Sequence, residues 1–255
     1  MIPKTIYYCW FGRNPKPKLA EKCIKSWKKH CPDYEIIEWN EDNFDIASAP
    51  LYVRQAYEAK KWAFVTDYVR LNVIYDRGGI YLDTDVELLK NLDAFLTDKA
   101  YFGFENEYIN TGLGFGAEKG AAILKELMQD YQSIPFVQQD GTQDMLPCPV
   151  RNTEVFLRHG LKQNGLEQLL DDCTHIYPMD FFCPDGYWTG HIQKTNQTVS
   201  IHWYAASWYN EEQRELRQKR VSMEWKDWLV HIPNRAGIKL LGTEKYEKLK
   251  KAIKR

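Results

Sequence analysis

Long apolar runs are missing from this chain. No stretch of about 18 apolar residues is available to span a bilayer. The start, MIPKTIYYCWFG, has neither a basic leader nor a long apolar segment behind it. A net charge of one sign is missing too: 34 Lys and Arg against 35 Asp and Glu leave a formal charge of −1. No global field therefore draws the protein to nucleic acid or to an acidic polymer. The six cysteines, Cys9, Cys23, Cys31, Cys148, Cys173 and Cys183, contain no C-x-x-C pair, and no Cys/His set has zinc spacing. Most lie in or near apolar segments, so reduced, buried thiols are expected. Neither an internal repeat nor a low-complexity linker interrupts the sequence. These absences point to a cytoplasmic protein built on one main domain.

What is present fits that picture. The 255 residues are 44% hydrophobic and 27% charged, which suits one large α/β domain or one domain with small helical additions. Nine Trp and sixteen Tyr are many for this length. Aromatic rings serve as core, and they also serve as platforms for sugars and nucleobases.

Along the chain, KTIYYCWFG (4–12) reads as a β-branched and aromatic strand, and RNPKPK after it as a Pro-broken loop. LAEKCIKSWKKH (19–30) places Leu19, Cys23, Ile24 and Trp27 at helical spacing, and YEIIEWN (34–40) is a second strand. Strand, helix, strand opens a βαβ unit and hence a parallel sheet. A single helical pattern runs from about 52 to 77 and stops at Gly78-Gly79. After it come a strand or strand pair (80–89), short apolar segments (100–105 and 110–117) and a helix (120–132). Loop-like sequence follows over 133–152, then late strands within 174–184 and 198–208. A basic helical tail occupies 211–255. The expected fold is thus α/β, with a catalytic domain over 1–210 and a C-terminal helical extension.

One short stretch carries chemistry. GGIYLDTDVELL (78–89) sets Asp83 and Asp85 one residue apart behind an apolar run. In an extended segment both carboxylates face one side, where like charges repel unless a cation lies between them. A solvated strand end is the plain reading of a bare D-x-D. Open α/β sheets, however, bind ligands at the carboxyl ends of their strands. There, one or two carboxylates plus substrate phosphates are the usual holders of Mg²⁺. Upstream, Asp67 and Arg70 share a helix face at i, i+3. Their helix is otherwise apolar, which favours a pair reaching into a site over an ion pair in solvent.

YYCWFG, WAFVTDYVRLNVIYDRGGIYLDTDV and SIHWYAASW together resemble the DXD-containing glycosyltransferases of family 32. These are related to yeast initiating mannosyltransferases, to bacterial capsular polysaccharide enzymes and to the core of clostridial glucosylating toxins. The resemblance runs from residue 1 to about 208 and is most specific over 62–87. It implies a GT-A-type, Rossmann-like mixed, mainly parallel sheet flanked by helices. It also implies a retaining transfer of a hexose from a nucleotide sugar, UDP before GDP. The acceptor would be an oligosaccharide or lipid-linked saccharide in surface or capsular polysaccharide synthesis. On this sequence Asp83 and Asp85 match the pair that holds Mn²⁺ or Mg²⁺ against the donor diphosphate, with His202 as a further metal ligand. Asp67 and Arg70 match the positions that bond hydroxyls of the donor, and Asn110 in INTGLGFG matches the Asn facing the donor sugar. Trp10 matches the aromatic stacked on uracil, while Ser207 and Trp208 match an element touching the diphosphate. Asp67, Arg70 and Asn110 are the catalytic candidates.

Each has a plainer reading: Trp10 as a core strand residue, His202 as a satisfied core histidine, Asn110 as a turn residue. No nucleophilic carboxylate stands out, Asp144 lying in a loop that the sequence does not position. Same-face substitution is therefore expected, with the leaving phosphate taking the acceptor's proton. Two other classes compete. One is a haloacid-dehalogenase-like phosphatase, although its motif comes early in the chain and is followed by Gly, which Asp85 is not. The other is a non-catalytic sugar-nucleotide-binding protein. In the tail, 13 Lys and Arg between 214 and 255 face five acidic residues, with Trp225 and Trp228 among them. That run reads as a solvated helix or as a peripheral foot on anionic lipid at the inner face of the cell membrane.

Overall fold

Strand β1 (Thr5–Cys9), helix α1 (Lys18–His30) and strand β2 (Glu35–Trp39) form the expected opening unit, with β1 and β2 parallel and Ile6 opposite Ile36. They belong to a computed structural model that describes residues 1–184 and 192–205. The tail and the segment 185–191 lie outside the described residues, so the extension over 211–255 is not among them. Pro17 in extended conformation starts α1, which buries Ala20, Cys23 and Trp27 and leaves Lys25 and Lys28 exposed.

The long helical pattern of 52–77 is two helices, α2 (Leu51–Glu58) and α3 (Trp62–Arg77). Lys60 between them takes a left-handed conformation, φ +56°, which no continuous helix tolerates. Helix α3 buries nine residues, Asp67 and Arg70 among them, and ends at Gly78 and Gly79. Both glycines have positive φ, and a side chain on Gly79 would meet the Thr5 carbonyl at 2.9 Å. That turn feeds β3 (Gly79–Tyr81), which lies parallel to β1.

The next segments are β4 (Val86–Leu88), β5 (Ala100–Glu105), β6 (Tyr108–Ile109), β7 (Phe115–Ala117) and α4 (Ala122–Ser133). Then come α5 (Cys148–Arg158), β8 (Gln168–Leu169), β9 (Thr174–Tyr177), the short α6 (Met179–Phe182) and β10 (Ser200–His202). Helix α5 begins inside the stretch read from sequence as loop. Its Pro149 and the preceding Pro147 look like loop residues, yet proline is well placed in a helix's first turn.

The main sheet runs β2–β1–β3–β7–β5–β9–β8, with β6 on β5. β1, β2, β3, β5 and β9 share one direction, while β7 and β8 run against them. The sheet is mixed and mainly parallel. Alternate residues feed two cores: Tyr7, Cys9 and Tyr81 pack with α2–α5, and Ile6, Tyr8 and Ile80 with α1. β4 and β10 form a separate antiparallel ribbon in which His202 faces Val86. Helix α1 fastens that ribbon, since Trp27 Nε1 donates to the Val86 carbonyl and the Leu88 N–H donates to Ser26 Oγ. No disulfide links the six cysteines, and four of them are buried. Among the described residues no helix is long and apolar enough to cross a membrane.

Candidate active site

β1, β3 and β5 point the same way, so the segments after Cys9, Tyr81 and Glu105 emerge at one edge of the sheet. Asp83 and Asp85 lie there in a turn between β3 and β4, closed by Val86 N–H on the Asp83 carbonyl at 3.0 Å. The two carboxylates converge through this turn, and not through the alternation of one extended strand. The late segment comes to meet them: His202 Nε2 lies 3.2 Å from Asp85 Oδ1. The Ala205 N–H donates to Asp85 Oδ2 at 2.8 Å, and the Trp203 N–H donates to the Asp85 carbonyl at 2.9 Å. Ligand atoms of Asp83, Asp85 and His202 all fall within 4.8 Å of one another.

Helix α3 delivers the second half of the site. Arg70 is 2% exposed and pairs with Asp67 one turn earlier. Its Nη1 lies 3.5 Å from Asp83 Oδ1, and its Nη2 donates to Cys148 Sγ at 2.9 Å. Tyr81 OH donates to Asp83 Oδ1 at 2.8 Å. Asn110, buried in the turn after β6, accepts the Gly112 N–H on Oδ1 at 2.6 Å and donates from Nδ2 to Glu105. The structure therefore brings Asp67, Arg70, Asp83, Asp85, Asn110 and His202 into one connected cluster. Trp10 sits on the same sheet edge, half-buried, with its indole N–H on the Asn14 carbonyl and Lys16 Nζ 5.8 Å from its ring. Ser207 and Trp208 lie outside the described residues. Asp144 is held by Arg151 at 2.5 Å.

Burial decides the charges here. It lifts the Asp83 carboxyl to about 6 against the pull of Arg70, and the like charge of Asp85 adds to the rise. Burial resists the Asp85 charge as well, but His202 and the Ala205 N–H outweigh it and hold that carboxyl below its ordinary value. His202 is raised: burial opposes its charge, and Asp85 and Asp83 overcome that. Asp67 is raised by burial despite Arg70, and burial pushes the Cys148 thiol well up, leaving a neutral sulfur against the guanidinium.

Sequence reasoning missed four members of this cluster. Tyr81 had a signal, since it ends β3 two residues before Asp83. Glu105 had a weaker one, a lone carboxylate ending the apolar strand AYFGFE. Gly112 lies in a stretch singled out only for its Asn. Cys148 reaches Arg70 across 78 residues from a helix whose start reads as loop in the sequence, and nothing local announces it.

Part of the chain matches known proteins. Residues 17–102, about a third of the chain, match the model described as glycosyltransferase sugar-binding region containing DXD motif. Over this segment the chain is similar to a DXD-containing glycosyltransferase sugar-binding region. Asp67, Arg70, Asp83 and Asp85 lie within it, while Trp10, Asn110 and His202 lie outside. An inositol phosphoceramide mannosyltransferase 3 of Schizosaccharomyces pombe is 28% identical over 53% of this chain and 38% of its own length. An initiation-specific alpha-1,6-mannosyltransferase of Candida albicans is 27% identical over 38% of this chain and 28% of its own. The chain thus spans well under half the length of these curated relatives. A solved structure titled PaToxG glycosyltransferase aligns at a TM-score of 0.51 and 20% identity, covering 62% of this chain and 68% of that one. Over the aligned part the fold is therefore of the GT-A type.

Proposed function

We propose that the protein is a metal-dependent, retaining glycosyltransferase that moves a hexose from a nucleotide sugar, a UDP-sugar before a GDP-sugar, to a saccharide acceptor. The observation that carries this reading is the meeting of Asp83, Asp85 and His202 within 4.8 Å, directly beside the buried Asp67–Arg70 pair. Two carboxylates and an imidazole suit a divalent ion. The imidazole favours a first-row transition metal over Mg²⁺, and the carboxylates keep the set hard, so Mn²⁺ fits best. When bound, such an ion supplies Lewis-acid stabilisation of the diphosphate leaving group.

The chain's own residues do the rest. Arg70 offers a planar fork of donors already fixed by Asp67 and Cys148, so little freedom is lost when it meets a sugar or phosphate oxygen. Asp67, an acceptor only when ionised, takes hydroxyl protons of the donor. Asn110 presents an amide whose orientation is set on both sides. In the transfer, the bond from the anomeric carbon to the diphosphate oxygen breaks and the bond to the acceptor oxygen forms on the same face. The acceptor's proton passes to the departing phosphate oxygen. Ser207 and Trp208 are assigned to that phosphate by resemblance alone. The family pattern supports a lipid-linked or oligosaccharide acceptor in surface polysaccharide synthesis. Cysteines without disulfides support a reducing, cytoplasmic compartment.

The test is a panel of UDP- and GDP-sugars incubated with Mn²⁺, Mg²⁺ or EDTA, comparing the protein with its Asp85→Ala variant. Slow nucleotide release from one donor, abolished by EDTA and reduced about 100-fold or more in the variant, is the expected result. If no nucleotide is hydrolysed or bound with Mn²⁺ present, the transferase reading is wrong.

A further inference from the structure

Glu105 ends β5 at the same sheet edge as Asp83, and nothing in the reading above uses it. Its carboxylate accepts a hydrogen bond from Asn110 Nδ2 and lies within electrostatic reach of Tyr204. Those two neighbours come from the two sides of the site. Asn110 belongs to the Arg70–Asp83 side, where its Oδ1 also holds the Gly112 N–H. Tyr204 belongs to the metal side: its ring centroid lies 4.1 Å from that of His202, and the next residue's N–H holds Asp85. Tyr204 takes a left-handed backbone, φ +48°, a conformation that a bulky residue adopts only when its surroundings hold it there. The Cys183 thiol, 2.5 Å from its hydroxyl, is part of what holds it. The carboxylate also acts electrostatically on His202 and Cys148, which places it within the field of both halves.

A carboxylate has about four acceptor positions. Asn110 takes one, and Glu105 is only half-buried, so capacity remains. The groups around it are chemically sorted. Asp83, Asp85 and His202 form the cation-binding side, and Arg70 is the cationic fork. An acceptor-only group beside an amide of fixed orientation is what a polyhydroxylated ring needs, because each hydroxyl must donate one proton and accept another. We propose that Glu105 is a specificity-determining residue of the hexose pocket, accepting a hydroxyl of the transferred sugar while fixing the Asn110 amide that contacts its neighbour. The inference rests on the nucleotide-sugar reading and adds to it the residue that distinguishes the sugar from its nucleotide.

Calorimetric titration with Mn²⁺ present separates the two claims. The probes are UDP, GDP, UDP-glucose, UDP-galactose and GDP-mannose, added to the full chain, to Glu105→Gln and to Glu105→Ala. The expected result is that the bare nucleotide binds all three proteins within about twofold. The added affinity of the matching nucleotide sugar, by contrast, falls about tenfold or more in Glu105→Ala, as for a lost hydrogen bond to a charged group. Glu105→Gln, which keeps size and one acceptor, falls less, and it serves alone if the alanine variant does not fold. Unchanged sugar affinity in the variants overturns the assignment. So does equal loss of bare nucleotide and nucleotide sugar, because Glu105 would then only hold the site together. If the unaltered protein binds no nucleotide with Mn²⁺, the transferase reading fails first and the assignment with it.

Discussion

A methyl group on Gly112 would lie 2.6 Å from Asp83 Oδ2 and 3.0 Å from Asn110 Oδ1, with Arg70 Nη1 at 3.6 Å. None of these neighbours can give way cheaply. Asp83 is tied to Tyr81 and faces Arg70, and Asn110 is bonded on both sides of its amide. The missing side chain at position 112 is therefore what leaves the Asp83 carboxylate room to face His202 and Asp85. Gly112→Ala should displace Asp83 and lower stability by about 1–3 kcal/mol, the usual range for overpacking. Its Mn²⁺ affinity should fall by at least tenfold. Thermal unfolding with and without Mn²⁺ reads both effects. A variant as stable as the parent and binding Mn²⁺ equally well would show that the loop after β6 can move aside.

At the scale of elements, the break between α2 and α3 aims the site. Residues 52–77 carry an uninterrupted helical pattern, yet Lys60 turns the chain through the left-handed region before α3 starts. Lys60 is exposed and lies in a conformation that favours glycine. Lys60→Gly should accordingly leave the fold intact and stabilise it by up to about 1 kcal/mol, measured by denaturant unfolding. A clear loss would mean that the lysine side chain itself holds the turn.

The same break shows where the sequence is legible. Period and spacing give β1, α1, β2, the end of α3 at Gly78-Gly79, and the D-x-D at a strand end, because each depends on residues near one another in the chain. They do not show the left-handed Lys60, since lysine carries no turn signal. Nor do they show α5, whose prolines are loop residues everywhere except the first helical turn. Asp83, Asp85, Asp67 and Arg70 were found from a local pattern. Cys148 joins the cluster through a contact that forms only once α5 and α3 are packed, so no local pattern could point to it. Glu105, bonded to Asn110 five residues on, showed only as a lone carboxylate ending an apolar strand.

Over the whole molecule, acidic and basic residues nearly cancel, but the site concentrates charge that burial opposes, and this makes metal binding and pH compete. Without metal, Asp83 titrates at about 6 in the folded protein, above its ordinary value, so its contribution to stability is fully present below about 4 and is lost as pH rises through 6. His202 is raised above its ordinary value, so it adds a further loss as pH climbs past that value. Asp85 is lowered, and its contribution fades only in acid, below the range from pH 5 to 8. A bound cation reverses this slope. It requires Asp83 ionised and His202 neutral, so binding displaces protons and its affinity climbs about tenfold per pH unit for each proton displaced. Each tenfold gain adds about 1.4 kcal/mol at saturating metal, which corresponds to a few degrees in unfolding temperature for a domain of this size. The unfolding temperature without metal should thus decline from pH 5 to 8, while the increase caused by Mn²⁺ should grow over the same range. Asp85→Ala should remove most of that increase at every pH. An Mn²⁺ effect that is flat with pH, or largest at pH 5, would place the ion somewhere other than on Asp83, Asp85 and His202.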